Sequence, residues 1–388
     1  MKSIQSRCGT HQRGRLSLVV AGTVALAALT ACGGGGGSAA EKPKENPIKA
    51  GQVPDHYPAE YTDLIEEAEK EGGTLTIYSN TSEENWAPVF RDFRKKYGFV
   101  KKISANDLDS DEVFQKVLSE QATGTSPVDL AVSNAASAWA TFAARPGTLA
   151  PYESPELSKL PEFAKLLPNV YAMSMDPQLI AYNTTLMEAP KGIHDLAEKV
   201  AEDPKKFSDK ITVRDPESSF GFTVTRAYTE ALPTAWDDFA KLLPETRPET
   251  SSGTQMEKIL AGEYMAGFFI SGGPAFPVVE DSDGLVDVLY PEEGTVVLPR
   301  GVGLAADAPH PATAKLFIDF LLSDEGQRSV AEGGLSSYRD GISGPGLHTY
   351  QELVAEVGED KAIQVPYTEV PKAESEAWLK RFDGLVGK

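Results

Sequence analysis

The sequence predicts an α/β protein of two lobes built on mainly parallel sheets. Three observations carry this. From residue 74 onward, short apolar runs of strand character alternate with stretches of helical spacing, the pattern of parallel sheets covered by helices. Four of the runs end in small polar residues that lead into a helix. The body, about 330 residues, is longer than one hydrophobic core comfortably serves.

"TLTIYS" (74–79) opens the body as a strand, and Trp86, Val89, Phe90, Phe93 and Tyr97 then recur at helical spacing. "KKISA" reads as a strand, with Val113, Phe114, Val117 and Leu118 as the next helix face. "VDLAVS" (128–133) is a strand before an Ala-rich helix around Trp139. "QLIAYN" (178–183), "KITVRD" (210–215) and "YMAGFFIS" (264–271) are further strands. "VVLPRGVGLAA" (296–306) is apolar with a Pro-Arg-Gly break, and 311–334 reads as two consecutive helices.

The polar strand ends are Ser79-Asn80-Thr81, Ser133-Asn134, Ser218-Ser219 and Ser271-Gly272-Gly273. Ligands in open α/β sheets bind at the carboxyl ends of strands. Helix N-termini there offer free N–H groups and partial positive charge. Each loop alone reads as a helix cap, and Thr81 with Glu84 has the capping-box spacing. Four together, two before and two after "LIAYN", read as the rims of a cleft between two lobes.

Ahead of the body, Lys2, Arg7, Arg13 and Arg15 precede "LSLVVAGTVALAALT". Fifteen residues of helix span roughly 22 Å, short of a bilayer core of about 30 Å but suited to a signal-peptide core. Leu29, Thr30, Ala31 and Cys32 resemble the bacterial lipobox, which implies cleavage before Cys32 and acylation (palmitate) of its thiol. Cys8 leaves with the signal, so the mature chain has no thiol for a disulfide. Residues 33–55 are rich in Gly, Pro and charge and cannot bury enough surface to order themselves. As a flexible tether they reach roughly 26 Å r.m.s., against a radius of gyration near 20 Å for the body.

The net charge of −20 becomes −24 once the four basic residues of 1–31 are gone. That disfavours nucleic acid and anionic lipid surfaces as partners. No G-x-S-x-G elbow and no phosphate-binding G-x-x-x-x-G-K-[ST] loop occurs, which weakens the rival reading, a lipid-anchored hydrolase. His56, His194, His310 and His348 are scattered without metal-ligand spacing, so neither a metal nor a cofactor is expected.

The order of "LTIYSNTSEENWAPVFRDFRKKYG", "PVDLAVSNAASAW", "VYAMSMDPQLIAYNT", "ITVRDPESSFGFTVTRAY", "ILAGEYMAGFFISGG" and "VVLPRGVGLAADAPHPATAKLFIDFLLSDEGQ" resembles the extracellular solute-binding proteins of ABC importers. It is most similar to the branch of ferric-iron, thiamine, polyamine and phosphonate or sugar-phosphate receptors, over about residues 72–342. The resemblance implies a type II periplasmic-binding fold, with extended crossovers near 178–184 and 297–304. It divides the chain into a signal peptide (1–31), lipidated tether (32–55), lobe one (56–183), lobe two (184–298), a return to lobe one (299–345) and a helical C-terminal region (346–388). That last region, with Tyr367 and Trp378, is expected to pack on lobe one. The protein is expected to be a monomeric, non-enzymatic receptor outside the cytoplasm. It would serve a membrane permease and its ATPase.

Carried over by position, the ligand contacts are Ser79, Asn80, Thr81, Ser133, Asn134, Ser218, Ser219, Gly221, Ser271 and Gly272, with Tyr182 on the crossover and Tyr338 and Arg339 in "SSYRDG". Tyr78 and Trp86 read as stacking aromatics or as core, with core favoured for Trp86. Ferric-iron members use two adjacent tyrosines, and this chain has no such pair. Hydroxyls, an amide and helix N-termini suit an oxyanion, so a phosphorylated or phosphonate-type solute is favoured. Ferric iron, thiamine or a polyamine is the alternative, the cations drawing on Glu83, Glu84, Asp107, Asp109 and Asp176.

Overall fold

The computed structural model describes residues 53–386. The basic start, the apolar run, Cys32 and nearly all of the tether lie outside the described residues. No helix among those described is long and apolar enough to cross a membrane.

The first half runs α1 (Tyr61–Lys70), β1 (Thr74–Ser79), α2 (Glu83–Lys96), β2 (Lys102–Asp107), α3 (Glu112–Thr123), β3 (Leu130–Ser133) and α4 (Ala136–Ala143). A short β4 (Lys165–Leu167) leads into the long β5 (Val170–Asn183). Next come α5 (Ile193–Glu202), α6 (Pro204–Phe207), β6 (Ile211–Arg214), α7 (Ser219–Ala231), α8 (Ala235–Leu242) and β7 (Thr246–Glu249). They are followed by α9 (Ser252–Leu260), β8 (Ala266–Ser271), α10 (Gly272–Asp281) and β9 (Val286–Leu289). The chain returns through β10 (Thr295–Leu304), α11 (Pro311–Leu322) and α12 (Asp324–Glu332), then ends with α13 (Tyr350–Val357), β11 (Ala362–Gln364) and α14 (Lys372–Asp383).

One curled sheet runs through the molecule in the order β2-β1-β3-β10-β5-β8-β6-β7. Parallel pairing builds each lobe: β1 with β2 and β3 in the first, β6 with β7 and β8 in the second. The strands that join the lobes, β5 and β10, run antiparallel to their main neighbours. β5 is itself one crossover. Tyr171 to Pro177 pair with β10, and Gln178 onward pairs with β8 and β9. The strand expected at 178–183 is therefore the second half of a longer one, whose first half, "VYAMSM", is apolar enough to be buried on both faces.

β10 lies among first-lobe partners from its first residue, pairing with β11, then β5, then β3. β10 thus carries the chain back from the second lobe to the first. The Pro-Arg-Gly stretch does not break the strand: Pro299 keeps its pairing with Met175 of β5, and on its other side neither β11, which reaches Val297, nor β3, which starts at Gly301, lies opposite it.

Helix α2 shows why these elements form. Ser82 caps it, accepting the Asn85 N–H, so it starts one residue later than the Thr81–Glu84 pattern suggests. Acids stand in its first turn and bases in its last, and its apolar stripe packs Trp86, Phe90 and Phe93 on Phe317 and Phe320 beneath the first sheet. The opposite face of that sheet is covered by Phe114, Trp139 and Phe142. In the second lobe, α5, α7 and α8 cover one face and α9 and α10 the other.

The C-terminal region departs from expectation. α13 does pack on the first lobe, with Tyr350 against Phe163, and β11 extends the sheet beside β10. Tyr367 then donates to Pro299 O at 2.8 Å. Beyond it the chain leaves for the second lobe. Trp378 meets Phe222 and Trp236, Phe382 meets Phe239, and Arg226 pairs with Glu374. Trp378 and Phe382 are four apart, so they share one helix face, and the matching aromatic surface belongs to α7 and α8.

The lobes touch beyond the crossovers as well. The Phe276 ring of α10 stacks on His348, and Asn85 Nδ2 donates to Gly273 O at 3.5 Å. A cavity of about 200 Å³ lies between these contacts.

Candidate functional site

β1 and β3 end side by side on the first-lobe rim. The Ser79 hydroxyl is fully buried, accepting the Thr81 N–H at 2.8 Å and the Trp86 indole N–H at 3.0 Å. It shapes the turn and fixes α2. Trp86 and Tyr78 are core residues, the Tyr78 hydroxyl donating to Glu120. Ser133 is equally buried, donating to Ser110 O and accepting the Ala135 N–H. Asn80 and Asn134 join the two turns, Nδ2 to Oδ1 at 2.7 Å.

Arg300, buried on β10, gathers this rim. Its Nη1 donates to Asn80 Oδ1 at 2.8 Å and Thr81 Oγ1 at 3.1 Å. Its Nη2 and Nε reach Asp176 Oδ2 at 3.1 and 3.3 Å. Asp176 is buried too and also accepts Ser174 Oγ and the Ser336 N–H. The loops 79–81 and 133–134 are thus tied to both crossover strands by one guanidinium.

On the second-lobe rim, the parallel strands β6 and β8 bring Arg214 and Ser271 to one edge. Ser218 caps α7, accepting the Gly221 N–H at 3.0 Å and donating to Asp215 O at 2.7 Å. Gly221 is there for space, since a Cβ would lie 2.0 Å from Asp215 O. Ser219, in the first turn of α7, stays partly exposed. The Ser271 N–H donates to Ser252 Oγ, while its own hydroxyl is buried without a partner. Gln178, opposite Ser271 in register, has an unpartnered Oε1. Gly272 lies against Phe276 and Pro177.

Arg214 is the unusual group. It is 7% exposed, its plane stands 4.6 Å over the Phe220 ring, and neither Nε nor Nη1 has a hydrogen-bond partner. Burial pulls its pKa down to about 10, against the opposing charges of Asp215 and of Asp109 from the first-lobe rim. A buried guanidinium lacking partners is costly unless something else supplies the acceptor.

Three expected contacts are not brought to this edge. Tyr182 sits at the far end of β5, its hydroxyl donating to Asp287 at 3.1 Å beside a separate cavity of about 760 Å³. Tyr338 is core, donating to Ala172 O and packed on Phe163. Arg339 is bound to Glu156, Asp324 and Leu322 O within the first lobe. Sequence reasoning missed Arg214, Arg300, Gln178 and Ser252. The available signal was a lone arginine inside each of two runs that read as buried strands, "ITVR" and "VVLPRGVGL". Among the described residues, no three His, Cys, Asp or Glu side chains gather as a metal site.

Two α/β lobes, joined by crossover strands and facing each other across polar strand ends, define a bilobed solute receptor. The chain belongs to the bacterial extracellular solute-binding protein family, whose sequence profile matches residues 89–352, and it is a solute-binding protein of the ABC-importer type. Such proteins work outside the cytoplasm. No curated protein matches the chain in sequence. Among solved structures it is similar to the substrate binding protein of an ABC transporter from Agrobacterium tumefaciens, with TM-score 0.74 and 19% identity over 81% of this chain and 94% of that one. It is also similar to the periplasmic binding protein AfuA from Actinobacillus pleuropneumoniae with fructose-6-phosphate bound, with TM-score 0.63 and 22% identity over 80% and 97%. Iron-bound HitA from Pseudomonas aeruginosa gives TM-score 0.63 and 21% identity over 80% and 99%.

Proposed function

We propose that this chain is a lipid-anchored, monomeric receptor that captures a small phosphorylated or phosphonate-type solute and delivers it to an ABC permease. One observation supports the anion above all: Arg214, buried at the cleft edge with two donor nitrogens unsatisfied. A phosphoryl oxygen supplies the missing acceptor, and guanidinium–phosphate pairs are among the stronger hydrogen-bonded contacts. The similar AfuA structure holds a sugar phosphate. The similar HitA holds iron, whereas here the Tyr78, Tyr182, Tyr338 and Tyr367 hydroxyls are engaged by Glu120, Asp287, Ala172 O and Pro299 O.

In this reading Arg214, Ser219 and Ser271 meet the ligand from the second lobe, and Asn80, Thr81 and Asn134 from the first. Ser79, Ser133, Ser218 and Gly221 shape the loops. No bond chemistry is required. The ligand favours the closed state because only there do both rims touch it. Cys32 anchors the chain, and its tether leaves the body free to turn.

Mass spectrometry of ligand carried through purification tests the solute class. A phosphoryl or phosphonyl compound is expected, and stoichiometric ferric iron overturns the reading. Cys32→Ala is expected to release the protein into the medium, and an unchanged membrane fraction would refute the anchor.

A further inference from the structure

Gln178 sits at the join of the two lobes, the first residue of β5 to pair with the second. Its side chain is buried, with the residue 1% exposed. Its Nε2 donates to Asp176 O at 3.2 Å, which fixes the orientation of the amide, so the atom left over is the carbonyl Oε1. Among the described residues Oε1 has no hydrogen-bond partner. Ser271 lies directly opposite Gln178 in the antiparallel β5–β8 register, so the two side chains share a face. The Ser271 hydroxyl is likewise buried without a partner.

That face is the floor of the cleft. Asp176, two residues before Gln178 and on the same side of β5, is the carboxylate that binds Arg300, and Arg300 holds Asn80 and Thr81 of the first-lobe rim. On the second-lobe side, β8 ends at Ser271 and the next strand, β6, ends at Arg214. Arg214 therefore stands two strands from Gln178, about 10 Å in backbone spacing. A small solute held at one end by the guanidinium meets, at the other, an atom that only accepts beside a hydroxyl that both donates and accepts. A hydroxyl on the solute satisfies both, donating to Gln178 Oε1 and accepting from Ser271 Oγ. A methyl group in its place strands two buried polar atoms. Asp176 is already paired with Arg300, so the floor offers a cation no free charge.

Resting on the anion reading above, we infer that Gln178, with Ser271, is the specificity-determining pair of the cleft, and that it selects a solute carrying a hydroxyl close to its phosphoryl or phosphonyl group. Arg214 takes the anion of any such compound, and the floor decides which of them is held well. Gln178 belongs to a strand that joins the lobes, so a hydroxyl bound there also ties the ligand to the joint itself.

A matched pair of esters tests this on the whole mature chain by calorimetry: glycerol 3-phosphate against propyl phosphate, which keeps the carbon skeleton and lacks the hydroxyls. Glycerol 3-phosphate is expected to bind at least about tenfold tighter. In Gln178→Met, and separately in Ser271→Ala, that ratio is expected to fall to within about threefold, with the ligand-free melting temperature recorded to confirm folding. Ser271→Ala carries the test alone if Gln178→Met does not fold. Equal binding of the two esters by the unmutated chain overturns the hydroxyl selection and leaves the anion reading standing. A ratio that persists in the folded variants overturns the role of the pair. Silence from both esters overturns the anion reading and the inference with it.

Discussion

Arg300 and Asp176 form a buried ion pair, Nη2 to Oδ2 at 3.1 Å, on the two neighbouring strands that join the lobes. The same guanidinium holds Asn80 and Thr81, so the joint between the lobes and the first-lobe rim share one charge. Removing one partner strands the other in a dry site. Asp176→Asn is expected to cost about 3–5 kcal/mol in urea unfolding. The paired replacement Asp176→Leu/Arg300→Met is expected to recover most of that stability but to loosen ligand binding, since the 79–81 turn loses its tie.

Arg214 predicts the opposite balance. Its charge is buried without acceptors, so the empty protein carries the desolvation cost. Arg214→Met is expected to raise ligand-free stability by about 1–3 kcal/mol. The same change is expected to weaken anion binding by about 30-fold or more. Urea denaturation and calorimetry on one preparation check both. A variant that loses stability together with affinity would place Arg214 in the framework instead.

Asp319 gives a pH dependence. Burial lifts its pKa to about 6, although Tyr61 and Tyr152 donate to it at 2.7 and 2.6 Å. The folded state therefore holds a proton that the unfolded chain releases near pH 4. Stability falls as pH rises from about 4 to 6, by about 2–3 kcal/mol, and stays at the lower level above that. Asp319→Asn is expected to flatten this slope in denaturation measured between pH 4 and 7. An unchanged slope assigns it to other groups.

Phe382 tests the C-terminal helix. It is fully buried against Phe239 and Trp378 although it lies near the end of the described chain. Phe382→Ala is expected to cost about 3–5 kcal/mol. Hydrogen exchange is expected to accelerate in α14 and the α7–α8 face, and to stay slow in α1 and α11.

Much of the frame was legible. The start of strand 74–79 and helix α12 follow from alternation and helical spacing, and α11, buried on nearly every side, follows from an apolar run too long for a strand. β5 was half read, since a strand buried on both faces has no alternation to show where it begins. The site was less legible. Serine at a strand end looks alike whether it caps, shapes or binds, and Ser79, Ser133 and Ser218 turn out to be tied up in their own loops. What separates them from Ser271 is a missing partner, which only three-dimensional placement reveals. Tyr338 and Arg339 were placed at the edge by position in the chain, but Glu156 and Ala172 O, distant in sequence, draw them inside.

The segment from Ala362 to Asp383 has a consequence for resistance to proteases. β11 completes the first lobe's sheet, and α14, twenty residues later at its far end, seals the aromatic face of the second. Neither half reaches its finished state without residues 362–383, so a chain cut near residue 360 leaves Trp236 and Phe239 bare to proteases. One short segment thereby guards both lobes against digestion at once.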